Sequence, residues 1–169
     1  MPRPLAGDYA PFLETYVNAC KGDDVFSLLN YSWDSLNAWL GTIPEEKLHY
    51  AYAEGKWTLA QLLQHLIDTE RVFAYRAMCI ARGEQKPLPP FDENAYAERG
   101  NAAHRSLSSL KTEMQVMRKS TIALFNAMNP EDIAAEGIAS NHRITVNALG
   151  FIIAGHVYHH QRIYLERYC

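Results

Sequence analysis

The chain is short of cysteine, of basic charge and of long apolar runs, and each shortage closes off a class of function. Cys20, Cys79 and Cys169 are an odd number at wide spacing with no C-x-x-C pair, so neither a disulfide framework nor a cysteine-based metal or redox motif is offered. Cys79 reads as a packing residue and Cys169 as an exposed thiol. Lys and Arg number 16 against 19 Asp and Glu, a net charge of -3. Phosphate backbones are bound by concentrated basic surface, so nucleic acid is not an expected partner. No run approaches the roughly 20 apolar residues of a membrane span. The opening Met1-Pro2-Arg3-Pro4 has no signal-peptide core, so a cytoplasmic protein without membrane contact is expected. No segment shows sustained period-two alternation, and no internal repeat is evident, which leaves strands unexpected.

What the chain does have is helical periodicity. A short amphipathic prelude spans Asp8 to about Cys20 and is closed by Lys21-Gly22. A first long helix is predicted from about Asp23 to Leu40, burying Phe26, Leu29, Trp33, Leu36 and Leu40. The second runs from Thr58 to about Arg82, opened by a Thr58/Gln61 capping box and ended by Gly83. Its apolar face is Leu59, Leu62, Leu63, Leu66, Phe73 and Ala77. A third begins near Asp92, weakens at Gly100, and continues through Leu107, Leu110, Met114, Met117, Thr121, Leu124 and Met128 to Asn129-Pro130. The methionines keep packing spacing and read as core rather than as a soft-metal site. The fourth spans about Thr145 to Tyr168. Four helices with one apolar face each bury those faces together, so the expected fold is all-α: one domain over residues 1–169, a four-helix bundle with a short N-terminal extra helix. The connection from Leu40 to Trp57 can run the length of a helix, which leaves crossover and up-and-down topologies both open.

The fourth helix carries the chemistry. His156 and His160 are four residues apart, so at about 100° per residue they project from one face within about 40° of each other. Leu149, Ile152, Ile153, Ile163 and Tyr164 share that face. Two neutral imidazoles buried side by side have lone pairs to satisfy, and a divalent metal satisfies them without the desolvation of added protons. His159 lies about 60° from His156, at the edge of the stripe. It reads as a surface residue or a partner of a ligand rather than as a ligand. Two ligands hold zinc or nickel weakly, so a third must come from elsewhere. Of His49, His65, His104 and His142, only His65 lies in a strongly periodic helix, and there it falls on the flank, about 100° from the stripe's centre.

Trp57 and Leu59, the run His65-Leu66-Ile67-Asp68 followed by Glu70 and Arg71, and a terminal His156-x-x-x-His160 helix with an extra His159 resemble the DinB/YfiT-like superfamily of small helical metal-dependent enzymes. The resemblance covers roughly residues 22 to 168. It implies a four-helix bundle with nickel or zinc at one end of its core, held by His65, His156 and His160. Those three can meet only if the second and fourth helices run antiparallel. Many members of the family place Glu directly after the first histidine of the terminal pair, whereas this chain has Val157, so no zincin-like general base stands there.

Glu70 falls within about 20° of the centre of the second helix's stripe, where a carboxylate must be paired, hydrogen-bonded or protonated. Two readings stand: a catalytic residue that moves a proton or orients a ligand imidazole, and a buried ion pair with an arginine such as Arg118. Arg76, Tyr75 and Tyr158 are further polar handles near the proposed pocket. A three-histidine divalent centre with an open position can acidify water or bind a thiolate, and the family includes thiol-dependent transferases. The expected function is a metal-dependent enzyme acting on a small molecule with a low-molecular-weight thiol, in S-transfer ahead of hydrolysis. The contrary reading is a non-catalytic metal-binding or stress-linked interaction protein. An apolar pocket beside the metal favours the enzyme, and a closed four-ligand centre favours the other. Trp33, Trp39 and Phe73 exceed what one bundle needs, which with the family's habit suggests a homodimer through helix faces.

Overall fold

In the computed structural model, which describes residues 2–169, each long helix starts where a short polar side chain accepts from the backbone three residues on. After a 3-10 turn at Pro11–Leu13 and the short α1 (Glu14–Ala19), Asp24 caps α2 (Val25–Thr42). Thr58 caps α3 (Leu59–Ala81) in the expected box with Gln61. Asp92 caps α4 (Glu93–Arg99), Ser106 caps α5 (Leu107–Asn126), and Asn129 caps the five-residue α6 (Pro130–Ala134). A hairpin of β1 (Glu136–Ala139) and β2 (His142–Thr145) follows, and Thr145 caps α7 (Val146–Arg167).

Three features depart from the sequence reading. The prelude is only one and a half turns of helix behind its 3-10 turn. The weakness at Gly100 is a full break, because Asn101 takes a left-handed φ of 56° and a 3-10 turn at Ala102–His104 intervenes before α5. The hairpin was not expected at all. Its strands pair Glu136 with Thr145 and Ala139 with His142, four residues each and too short to show a period. Ser140 and Asn141, with φ of 51° and 66°, make a turn of the kind that matches strand twist, but without the glycine that usually announces one.

The winding is a crossover. α7 packs on α2 and α3, and α5 also packs on α2 and α3, so the sequence neighbours α2 and α3 lie diagonally across the bundle. Two stacked apolar clusters give the directions. One gathers Val25 and Leu28 of α2, Phe73 and Ile80 of α3, Phe125 of α5 and Leu149 to Ala154 of α7. The other gathers Leu36 and Leu40, Leu59 to Ile67, Leu107 to Met117, and Val157 to Tyr168. α2 and α7 therefore run one way and α3 and α5 the other, up-down-down-up in chain order. The long stretch between α3 and α5 is what returns the chain to the starting end.

Between the clusters each long helix contributes a polar residue to the interior: Ser32, Glu70, Arg118 and His156, all buried. The α2 stripe is turned relative to expectation, with Val25, Leu28 and Trp39 inside and Phe26 and Trp33 half-buried. Trp39 and Phe73 are core residues, so they leave no surplus aromatic surface to a dimer. α7 is buried without interruption from Val146 to Val157, because α1 closes its remaining side. Gly155 makes that possible: a Cβ there would overlap the backbone carbonyl of Tyr16 on α1. Among the described residues no helix is long and apolar enough to cross a membrane.

Candidate metal centre

The antiparallel α3 and α7 bring the three expected histidines together. His156 Nε2 lies 3.0 Å from His65 Nε2 and 3.0 Å from His160 Nε2. The ligand atoms of the three all fall within 4.8 Å of one another, and all three residues are buried. His65 is thus no flank residue. α3 is buried at every position from Leu62 to Ile67: His65 meets His156 and His160 of α7 and the Trp57 ring, while Gln64 beside it is covered by Gly100 and Arg105.

Burial sets the electrostatics. It pushes the His65 ring down to about 4 and the His160 ring to about 2, and holds His156 well below the usual imidazole value. The neighbouring imidazoles push the same way, so all three rings are neutral at pH 7 with lone pairs available. His156 Nε2 faces two ring nitrogens and carries a proton for at most one of them. The cluster therefore has more lone pairs than protons, and the buried His160 Nδ1 has no partner either. A divalent ion that accepts nitrogen donors answers the first imbalance, and separations near 3 Å suit ligands at about 2.0–2.1 Å from one ion. No carboxylate and no thiol joins the set among the described residues.

Aromatic and hydroxyl groups fix the rings. Thr69 Oγ1, one turn beyond His65, lies 3.3 Å from His65 Nδ1. With the proton on Nδ1 donated to that hydroxyl, Nε2 presents its lone pair to the cluster. Trp57 lies over His65 at 4.8 Å between ring centroids, and Tyr16 meets His156 and His159 edge-on at 5.1 and 5.2 Å. A cavity of about 320 Å³ reaches the cluster and is lined by His65 and His156 but not by His160. Its walls are apolar at Phe12, Leu13, Phe73, Phe91 and Ile144, with the hairpin and the loop before α4 closing the side away from α7.

The other expected residues are distributed differently. Glu70 is held by Arg118, with Nε to Oε1 at 2.7 Å and Nη2 to Oε2 at 2.6 Å, the ion pair of the second reading. Arg118 Nη1 goes on to the Leu29 carbonyl and the Ser32 hydroxyl. His159 is half-buried and outside the three-atom cluster. Of the polar handles only Arg76 lines the cavity; Tyr75 is exposed, and Tyr158 borders a separate cleft with His159. Thr69 and Tyr16 were missed. Thr69 was findable, since it stands four residues from His65 on one helix, whereas nothing in the periodicity ties Tyr16 to α7.

The DinB superfamily matches residues 28–163. A Geobacillus thermodenitrificans (strain NG80-2) protein named "Putative metal-dependent hydrolase" is 29% identical over 69 residues, which are 41% of this chain and 39% of that protein. The match thus spans about two fifths of the length of that relative. The structure of YfiT from Bacillus subtilis, described as a probable metal-dependent hydrolase with an unusual four-helix bundle topology, superposes with a TM-score of 0.75 at 18% identity, covering 96% of this chain and 89% of that one. A mycothiol-dependent maleylpyruvate isomerase superposes with a TM-score of 0.69 at 12% identity, covering 82% of this chain and 58% of that one.

Proposed function

The chain belongs to the DinB superfamily, and from that membership and its histidine cluster we propose a metal-dependent enzyme that acts on a small molecule. One observation carries the reading. Three converging neutral imidazoles are reached by an apolar cavity on the side of His65 and His156, which is an open three-ligand arrangement rather than a closed four-ligand one. His65, His156 and His160 would hold a divalent ion, nickel or zinc, through Nε2. When bound, the ion would supply Lewis acidity at the inner end of the cavity. Thr69 keeps the His65 tautomer, and Tyr16 and Phe73 keep bulk water from the rings.

The reaction class we favour is thiol-dependent group transfer. Its support is chemical: Glu70 is engaged by Arg118, Val157 replaces the zincin carboxylate, and the carboxylate that lines the cavity, Glu93, sits exposed at its rim. A centre poor in general bases suits an incoming thiol that is already acidic better than it suits water. Hydrolysis is the second reading, favoured by the names of the Geobacillus relative and of YfiT. Glu70 stays in the proposal as the proton-transfer candidate, to be judged against its ion pair. A cytoplasmic setting is supported by three cysteines that form no disulfide. A homodimer, also part of this reading, draws on Tyr75, Met78 and Val116, which stand exposed on α3 and α5. Sedimentation as a monomer at micromolar concentration would remove it.

The deciding experiment is element analysis of protein purified without a tag or chelating resin. Thiol consumption with electrophilic substrates and ester hydrolysis are then assayed on the same samples. About one divalent ion per chain and metal-dependent thiol consumption are expected. Protein free of metal even after incubation with nickel or zinc salts would overturn the proposal.

A further inference from the structure

The interior holds two buried arginines, and only one of them has a carboxylate. Arg118 has Glu70. Arg76, 5% exposed on α3, belongs to none of the ion pairs among the described residues. Its Nη2 donates to the Pro89 carbonyl at 2.7 Å and to Ser140 Oγ at 2.9 Å, which ties the loop before α4 to the hairpin turn. Nε and Nη1 make no hydrogen bond to protein, yet neither is sealed away from solvent without a partner. Arg76 lines the cavity that reaches His65 and His156, and also borders a smaller cleft with Tyr75, Leu88 and Phe91.

The setting holds the guanidinium in place. Its carbon stands 5.7 Å from the Phe73 ring and 5.8 Å from the Phe91 ring, so two aromatic faces and two hydrogen bonds restrict it while two donors stay uncommitted. Burial of the charge also works against it, lowering the affinity of Arg76 for its proton. A buried cation without a counter-ion is costly, so an anion entering from the cavity would be stabilised beside it. The other charged groups on the cavity do not supply one. Glu93 is exposed and forms no ion pair with Arg76, and the carboxylates nearest the hairpin, Glu136 and Asp8, are taken by Arg143.

We propose that Arg76 recognises a carboxylate on the small molecule bound in this cavity, and that the rest of that molecule is an apolar body lying against Phe12, Leu13 and Ile144 with its reacting end toward His65 and His156. This deepens the reading of the cavity as a substrate site and rests on it, but it does not need a metal to be tested. Arg76 acts here as a specificity-determining residue.

Benzoate and benzamide are the probes, since they match in shape and differ in charge. Binding is measured by calorimetry on the metal-loaded and the chelator-treated full chain, with metal content determined on each sample. The wild type is expected to prefer benzoate by about tenfold or more with and without metal, as a charge-assisted, two-donor contact allows. Arg76→Met should abolish the preference. Arg76→Lys should keep part of it, because the charge remains and the planar fork is lost. If either variant folds poorly, the Arg76 Nε–H resonance of the wild type decides, since benzoate should shift it and benzamide should not. Equal binding of the two probes, an unmoved resonance, or a preference that survives Arg76→Met would overturn the proposal. So would a preference that vanishes only when the metal is removed, because the carboxylate would then sit on the ion. Arg76-dependent benzoate binding by a protein that takes up no metal would leave this inference standing and end the metal-enzyme reading.

Discussion

Arg118 takes both carboxylate oxygens of Glu70 in a fork-to-fork contact at 2.7 and 2.6 Å, in an interior where both residues are buried. Such a pair stabilises little against an apolar replacement but is costly to break by halves. Glu70→Gln, which strands the guanidinium, is expected to lower stability by about 3–5 kcal/mol. The double change Glu70→Gln/Arg118→Met should recover much of that in denaturant melts. Activity separates the two roles: a proton-transfer Glu70 predicts a loss of about 10² to 10⁴ in rate in both variants, with metal retained. A double variant that is both stable and active would leave Glu70 as a structural carboxylate.

Metal content should fall most steeply for His156→Ala, because His156 Nε2 is the atom within 3.0 Å of both other ring nitrogens. His65→Ala and His160→Ala should each follow closely. Element analysis on untagged protein measures this, and a His156→Ala/His160→Ala variant that still binds one ion per chain would sink the ligand assignment. The fold should survive, since two apolar clusters rather than the ion hold the helices together.

Thr69→Val keeps shape and removes the hydroxyl 3.3 Å from His65 Nδ1. Loss of such an orienting partner typically weakens metal affinity by about 10-fold to 100-fold. Competition with a chromophoric chelator reads the constant, and Thr69→Ser should restore it. Equal affinity in the Val variant would mean that packing against Trp57 alone sets the ring.

Stability without metal should depend on pH below neutrality. Burial depresses His65 from 6.5 to about 4 and His160 to about 2, so between those values the unfolded chain takes up protons that the folded chain refuses. Stability is therefore complete above about pH 6.5 and declines as the pH falls through about 4, with His65 alone contributing of order 3 kcal/mol to the loss. Denaturant midpoints of chelated protein at about pH 7 and about pH 4.5 check the sign. A midpoint that rises on acidification would contradict neutral buried imidazoles.

Gly155→Ala places a methyl on the Tyr16 carbonyl, which is backbone and cannot rotate aside. An overpacking cost of about 1–3 kcal/mol is expected, together with displacement of α1 from α7. Thermal melts give the first, and faster proteolysis near Tyr16 gives the second. Unchanged stability would mean that α1 is not held where this packing puts it.

The sequence carried the helices more legibly than their arrangement. Thr58 and Gln61 announce α3, and His156 with His160 announce their shared face, because caps and one-turn spacing are local properties of the chain. The same arithmetic put His65 on a flank. The structure buries it all the same, because His65 faces the His156 and His160 rings of α7 and lies against Trp57, contacts between elements that spacing along α3 does not reveal. Ser140 and Asn141 turn a hairpin with no glycine to signal it, so the wall of the cavity stayed unseen. Arg76 was visible as a polar handle, but its missing counter-ion is a fact about three-dimensional neighbours and not about spacing.

The placement of α7 has a consequence for how the protein is made. It supplies two of the three histidines, it packs on α1, α2 and α3, and His65 waits 91 residues upstream for its partner. During synthesis from the N-terminus, α2, α3 and α5 emerge with the sides that α7 covers still open and with only one of the three clustered imidazoles present. Assembly of the three-histidine cluster and closure of the bundle thus wait on the same late segment, and a nascent chain released before α7 has neither.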